Sequence, residues 1–259
     1  MKILFIGDIV GKAGRKIALS HLPLLKQDYG IDLAIVNCEN AAAGFGVTAQ
    51  IGEELLAGGA DVLTSGNHVW DRKESFDFLR SEKRMLRPAN YPPGVPGFGF
   101  WKSAVGDVPV AVLNLQGRIF MPPIDCPFRT FDSLRENQLA EARVLFVDFH
   151  AETTSEKIAF ASYVDGRASA VVGTHTHVTT ADESVQDGGT AYISDVGMTG
   201  SSDSVIGMEK QGAIDRFLLQ IPQKKFEPAE KKPKLSAVVV DIDEASGRAR
   251  GIQRVSRWE

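Results

Sequence analysis

The chain has 259 residues, of which 43% are hydrophobic and 24% charged, with 29 Lys plus Arg against 33 Asp plus Glu and a formal net charge of −4. This composition is ordinary for a folded protein and excludes a disordered, collagen-like or disulfide-stapled chain. Mild acidity argues against nucleic-acid binding through the overall field, and two cysteines, Cys38 and Cys126, with no CxxC spacing fit a reducing, cytoplasmic setting.

Apolar, β-branched runs mark strands, and stretches of helical character separate many of them. The first strand is expected at 3–6, because the apolar start meets an acid at Asp8 too early for a secretory leader. A helix is expected at 15–25, a strand at 33–36, a helix at 49–56 closed by Gly58-Gly59, a strand at 62–63 and a helix at 72–79. Residues 88–99 hold four prolines and three glycines and read as a loop that packs its own aromatics, Phe98, Phe100 and Trp101. Strands at 108–115 and 144–149 follow, with a proline-rich loop at 119–129 and a helix at 133–142 between them. Strands at 170–172 and 191–193 precede a charged, proline-punctuated loop at 221–234. A hairpin closes the pattern, with strands at 235–242 and 249–255. Alternation of strand and helix predicts an α/β fold, read as one domain over 1–259. No run approaches the roughly 18 apolar residues of a membrane span, so no membrane partner is expected.

The chemistry stands at the strand ends. They carry Gly7-Asp8, Asn37-Cys38-Glu39-Asn40, Gly66-Asn67-His68, Asp148-Phe149-His150 and Gly173-Thr174-His175-Thr176-His177. In α/β sheets, ligands bind outside the carboxyl ends of strands, so these five ends should deliver their side chains to one crevice. Four of the five histidines lie in these clusters, and the fifth, His21, sits on a predicted helix and takes no role. Carboxylate, amide and imidazole donors suit manganese, iron or zinc, and the lack of thiolates argues against a structural zinc site. Asp8, Glu39, Asn40, Asn67, His150, His175 and His177 make seven candidate ligands, too many for one ion with open positions. Two ions sharing a bridging carboxylate need about that number and leave room for water or substrate. Two carboxylates against two divalent ions leave a net charge of about +2, which attracts phosphate.

The motifs GDIVGKAGR, NCENAAAGFG, SGNHVWD, NLQGR, DFHAETTSEK, GTHTHV and DVGMTG resemble those of the YmdB-type subfamily of calcineurin-like metallophosphoesterases, from Asp8 to about Gly200. The chain departs from the broader superfamily pattern in two places. Asp8-Ile9-Val10 lacks the histidine of Asp-x-His, and Asn37-Cys38-Glu39-Asn40 replaces the usual second acidic motif. The resemblance implies a two-sheet β-sandwich flanked by helices, with a dinuclear site of iron or manganese at the sheet ends. It implies that Glu39 bridges both ions. Asp8, Asn40 and His177 would complete one site, with Asn40 in place of the missing histidine. Asn67, His150 and His175 would complete the other. It further implies that His68 protonates the leaving oxygen and that the substrate is a cyclic nucleotide, notably the 2′,3′-cyclic form.

The residues suit that chemistry on their own terms. A phosphodiester needs an attacking hydroxide, neutralised oxygens and a proton for the leaving alkoxide. Two ions supply the first two, and a histidine supplies the third. The expected activity is therefore a metal-dependent phosphodiesterase in which hydroxide held by a dinuclear centre attacks in line. Arg118 is a candidate contact to the substrate phosphate, and Asp195 and Thr199 are candidate neighbours of the site. A small cyclic nucleotide and an RNA end both remain open as substrate, and a homo-oligomer is compatible with the sequence. Two alternatives stand beside this reading: a phosphomonoesterase acting on nucleotides or phosphoproteins, and a non-catalytic module that senses a nucleotide or RNA. No GxGxxG, P-loop or GxSxG motif competes with the metal pattern.

Overall fold

Strand β1 (Lys2–Ile6) shows why the layers form. Ile3 and Phe5 face one side and Leu4 and Ile6 the other, and all four are fully buried. A strand apolar on both faces needs a packed layer on each. In the computed structural model, which describes residues 1–220 and 227–259, Ile3 and Phe5 pack on a second sheet while Leu4 and Ile6 pack on helices.

Helix α1 (Gly11–Tyr29), β2 (Leu33–Asn37), α2 (Ala49–Ala57), β3 (Val62–Thr64) and α3 (Phe76–Ser81) follow in chain order. Strands β1, β2 and β3 are parallel neighbours. Next come β4 (Phe100–Val105), β5 (Val108–Gln116), α4 (Pro127–Glu136), β6 (Val144–His150), α5 (Thr154–Tyr163), β7 (Ala170–Thr174), β8 (Ser184–Val185) and β9 (Ala191–Ile193). The chain then forms β10 (Gly200–Ser201), α6 (Lys210–Leu219), β11 (Pro233–Ile242) and β12 (Ala249–Trp258). The closing hairpin returns β11 antiparallel to β1, with β12 on its far edge and β10 at its start. The second sheet runs β4-β5-β6-β7-β9-β8, parallel from β5 to β9 and antiparallel at both ends.

The two sheets meet face to face over Ile3, Phe5, Ile35, Val112, Phe146 and Val172, with Phe5 and Phe146 stacked at 5.7 Å. Outside the first sheet, Ile17, Leu22 and Leu25 of α1 and Leu55 of α2 cover Leu4, Ile6 and Val36. Outside the second, Phe131 of α4 and Phe160 of α5 cover Leu113, Val147 and Phe149. The result is the expected α/β sandwich of two sheets flanked by helices.

Several boundaries differ from expectation. Helix α1 starts at Gly11, four residues before the apolar periodicity becomes legible. The helix expected at 133–142 is α4, which begins at Pro127 and ends at Glu136. Proline suits a first helical turn, where its missing N–H has no partner to lose. Phe100 and Trp101 belong to β4, held by antiparallel pairing to β5, and not to a self-packing loop. The composition did not signal α5 or α6. Of the charged segment at 221–234, residues 221–226 lie outside the described residues, and Pro233 and Lys234 open β11. Among the described residues no helix is long and apolar enough to cross a membrane.

Helix α1 is seated by a close backbone contact. A Cβ built on Gly14 would lie 2.2 Å from the carbonyl oxygen of Thr199. Alanine ordinarily improves a helix interior by about 1 kcal/mol over glycine. Here the collision is with backbone that cannot turn away, so overpacking should win. Gly14→Ala is expected to destabilise the protein by about 1–3 kcal/mol. Denaturant titration checks this, and a variant more stable than wild type would refute the contact's role.

Candidate metal centre

The parallel strands of both sheets point their carboxyl ends the same way, and the predicted residues meet there. From the first sheet, β1 delivers Asp8, β2 delivers Glu39 and Asn40, and β3 delivers Asn67 and His68. From the second, β6 ends in His150, and the turn after β7 carries His175 and His177. Asp8, Glu39, Asn40 and His150 are buried, and Asn67, His68, His175 and His177 are half-buried. The donor atoms of Glu39, His150 and His175 lie within 4.8 Å of one another, as do those of Asp8, Glu39 and His177. Glu39 is common to both groups.

Hydrogen bonds on the outer side fix which atoms face inward. His177 Nδ1 donates to the carbonyl of Ile206 at 2.8 Å, so Nε2 holds a lone pair. That Nε2 faces Asn40 Oδ1 at 3.2 Å and Asp8 Oδ2 at 3.7 Å. The Asn40 amide donates outward to the carbonyl of Gly44 at 2.9 Å, which turns its oxygen inward. Thr174 gives its hydroxyl hydrogen to Asp148 at 2.7 Å and therefore accepts from His150 Nδ1 at 2.9 Å. His150 Nε2 then faces Glu39 Oε1, Asn67 Oδ1 and His175 Nδ1 at 3.1, 3.1 and 3.0 Å. His175 Nε2 donates to Glu152 at 3.0 Å, leaving Nδ1 for the cluster. Lone pairs this close repel unless something positive lies among them, and outward hydrogens of this kind are how proteins orient metal-binding histidines. Asp8 adds a buried Oδ1 with no hydrogen-bond partner among the described residues. The residues present fit divalent cations.

The charges follow the same geometry. Burial pushes the Glu39 carboxyl up, but a proton on His150 Nε2, in the place where its lone pair would otherwise face a cation, supplies a charge and a hydrogen bond that, with His68 and His175, overrule it and hold it at about 2. Burial pushes His150 down, but Glu39 and then Asp8 and Asp148 raise it to about 9. Burial holds Asp8 well above the usual carboxylate range, against the pull of His150. His175 falls to about 3, through burial first and the His150 charge second.

Close packing and strain surround the cluster. A Cβ on Gly66 would lie 2.2 Å from the His150 ring and 2.3 Å from Glu39 Oε2, so only glycine fits. His175 and His177 hold φ of 105° and 66°, in the region that favours glycine. Asp195 pins the residue between them, accepting from the Thr176 amide at 3.0 Å, the Thr176 hydroxyl at 2.8 Å and buried Lys157 at 2.8 Å. Thr199 donates its amide hydrogen to the carbonyl of Asp8 at 2.8 Å.

His68 stands beside the cluster, its amide 3.4 Å from Glu39 Oε2 and its Nδ1 2.8 Å from Asp71. Asp71 thereby leaves Nε2 as the nitrogen available to the cavity that His68 lines. Arg118 does not line that cavity; it is exposed, and its backbone N–H donates to Glu156 at 3.0 Å. Asp71 and Glu152 were not singled out in the sequence, and Asp148 and Thr174 stood in the strand-end clusters without a role. Asp71 lies three residues beyond His68, and that spacing alone could have marked it. The link from Asp148 through Thr174 to His150 spans two strands and leaves no local pattern.

The model of the YmdB-like protein family matches residues 4–255. The chain belongs to that family. It is 49% identical over 255 residues to a 2′,3′-cyclic-nucleotide 2′-phosphodiesterase of Bacillus subtilis strain 168, covering 98% of this chain and 96% of that one. The crystal structure of a hypothetical protein from Thermus thermophilus matches with a TM-score of 0.94 and 44% identity, over 100% of both chains. That of a phosphatase from Mycoplasma pneumoniae matches with a TM-score of 0.94 and 33% identity, over 100% of this chain and 94% of that one. The fold is shared more distantly with a putative 5′-nucleotidase from Staphylococcus aureus, with a TM-score of 0.65 and 14% identity, over 98% of this chain and 54% of that one.

The Thr174 hydroxyl is the group that orients His150 through its Nδ1. Thr174→Val keeps the side chain's shape and removes that acceptor. Metal affinity is expected to fall about 10–100-fold. Titration of the chelated protein with Mn²⁺ checks this, with circular dichroism as the control for folding. Unchanged affinity would remove Thr174 from the metal-orienting chain.

Proposed function

We propose that this protein is a dinuclear metal-dependent phosphodiesterase that hydrolyses 2′,3′-cyclic nucleotides. The observation that carries the reading is the pair of donor groups sharing Glu39, with His68 beside them. The name of the Bacillus subtilis relative supports the substrate class. In this reading Asp8, Asn40 and His177 would hold one ion, Asn67, His150 and His175 would hold the other, and Glu39 would be shared between them. Iron and manganese are the proposed metals on the family resemblance, and the mixed oxygen and nitrogen donors without thiolate admit them. Bound ions supply a water made acidic enough to attack at neutral pH and neutralise the phosphate oxygens.

The chain's own residues do the rest. Glu39 and Asp8 set the charge of the floor, and the strained His175–His177 turn fixes two imidazoles. His68, its ring held through Nδ1 by Asp71, gives the proton from Nε2 to the departing ribose oxygen. A cyclic diester presents less charge than a monoester and requires no dense arginine clamp; Arg118 stands away from the cavity, and one arginine, Arg216, is among its lining residues. We place the enzyme in the cytoplasm as one domain over 1–259, in keeping with two unpaired cysteines.

The separation of roles sets the test. His68→Ala should keep bound metal and lose about 10²–10⁴-fold in kcat on 2′,3′-cyclic AMP. His175→Ala and Glu39→Ala should lose metal as well, read by elemental analysis, and chelation should abolish wild-type turnover. Full activity of His68→Ala would sink its role as the acid. Cleavage of a simple monoester alone would favour the phosphatase alternative, and metal binding with silence on both substrates would favour a sensing module.

A further inference from the structure

The cavity over the metal cluster measures about 380 Å³, a size suited to a nucleotide-sized ligand, and its lining has two characters. Glu39, Asn40, His68 and His177 make one part polar, whereas Val10, Phe45, Ile206 and Met208 make another part apolar. Phe45 is half-buried and belongs to none of the three apolar cores of the described residues. Its ring instead meets the imidazole of His68 edge-on, with centroids 5.0 Å apart at 73°.

The loop that presents Phe45 is tied down on every side. The Gly44 amide donates to the Asn40 carbonyl at 3.1 Å, and the Ala42 amide to the Gly46 carbonyl at 2.8 Å. Arg72 donates from Nε to the Phe45 carbonyl at 2.9 Å and from Nη2 to the Ala42 carbonyl at 2.5 Å. Ile206 shares the apolar lining; its β-branched side chain is 52% exposed and its φ is 46°, while its carbonyl holds His177. A β-branched residue at positive φ is an outlier that accompanies functional sites.

Nucleotide connectivity says what this apolar part is for. In a 2′,3′-cyclic nucleotide the leaving oxygen is on C2′ or C3′, and the base hangs from C1′ of the same five-membered ring. With O2′ as the leaving oxygen the base hangs from the adjacent carbon, so a surface beside the acid is within reach of the base. The aromatic side chain against His68 is Phe45. Resting on the phosphodiesterase reading above, we infer that Phe45 is the platform on which the nucleobase stacks, with Ile206 as its apolar neighbour. Stacking tolerates any base and favours the larger purine ring. This subsite therefore makes the enzyme select nucleosides over cyclic phosphodiesters that lack a base.

The test compares 2′,3′-cyclic AMP with ribose 2,3-cyclic phosphate, using Mn²⁺-loaded wild type, Phe45→Ala, Phe45→Leu and Phe45→Trp. Wild type should prefer the nucleotide. In Phe45→Ala and Phe45→Leu the ratio of kcat/KM between the two substrates should fall about 10–100-fold, carried in KM, and Phe45→Trp should restore it. Calorimetric binding of adenosine 3′-phosphate should weaken in parallel. Equal losses on both substrates would mean that Phe45 only buttresses His68 and would overturn the inference. Wild type that turns over both substrates equally well would overturn the base subsite and leave the phosphodiesterase intact. Wild type that turns over neither would overturn the phosphodiesterase reading itself.

Discussion

The structure turns on one electrostatic constraint: four hydrogen-bearing ligand side chains aim their hydrogens outward so that their lone pairs meet. Ile206, Gly44, Thr174 and Glu152 take the hydrogens of His177, Asn40, His150 and His175. An inner atom with a lone pair, 3.0–3.2 Å from other lone pairs, is costly unless a cation compensates. Reversing any one of these outer contacts would turn a donor hydrogen toward its neighbours. The outer partners thus decide whether the inner atoms are a metal site or merely a polar cluster.

That constraint explains why the site spans two sheets. A single parallel sheet delivers its strand ends in a row, and neighbouring strands are separated by a fixed spacing. The two facing sheets here bring Glu39 from one and His150 from the other to 3.1 Å, so the cluster closes across the sandwich as well as along each row. The apolar face between the sheets sets their separation, so Phe5 stacked on Phe146 belongs to the geometry of the metal site as much as to stability. Asp148 ties the layers together again beneath the cluster. It accepts from Asn37 at 2.9 Å and from Thr64 at 2.5 Å on the first sheet, and from Thr174 at 2.7 Å on its own. Burial pushes its carboxyl up to about 6, against His150 and these hydrogen bonds, and its remaining charge lies behind His150.

What could be read in the sequence follows from how local each signal is. The runs at 3–6, 33–36 and 144–149 mark strands because both faces of each are buried, which makes them apolar but for Asp148 near the end of the third. The residues that cluster were legible because strand ends place them, and strand ends sit beside those runs. The helices were less visible. In α5 the buried residues include Glu156 and Lys157, whose charges blur the apolar stripe. In α6 the described buried residue is Ala213 alone, so it shows hardly any stripe. Strand β4 is half-exposed and follows a glycine- and proline-rich stretch, which hid it. Thr174 beneath His150 and Glu152 beside His175 escaped because their roles come from contacts across strands, which spacing does not encode.

Phe45 belongs to a third category, since both its identity and its neighbours were in plain sight and only its lack of a core gave it away. An aromatic side chain normally gains its stabilisation by burial against apolar partners, worth about 1.5–3 kcal/mol for a phenylalanine. Phe45 forgoes much of that, yet its loop is held by one edge of Arg72 and by the side-chain amide of Asn40. Asn40 therefore faces two ways: its oxygen joins the metal cluster and its nitrogen fixes the carbonyl next to Phe45. The proposed base platform is thus tied directly to the proposed metal site. Geometry shared in this way would let a small cavity hold one molecule at both ends, with His68 between them.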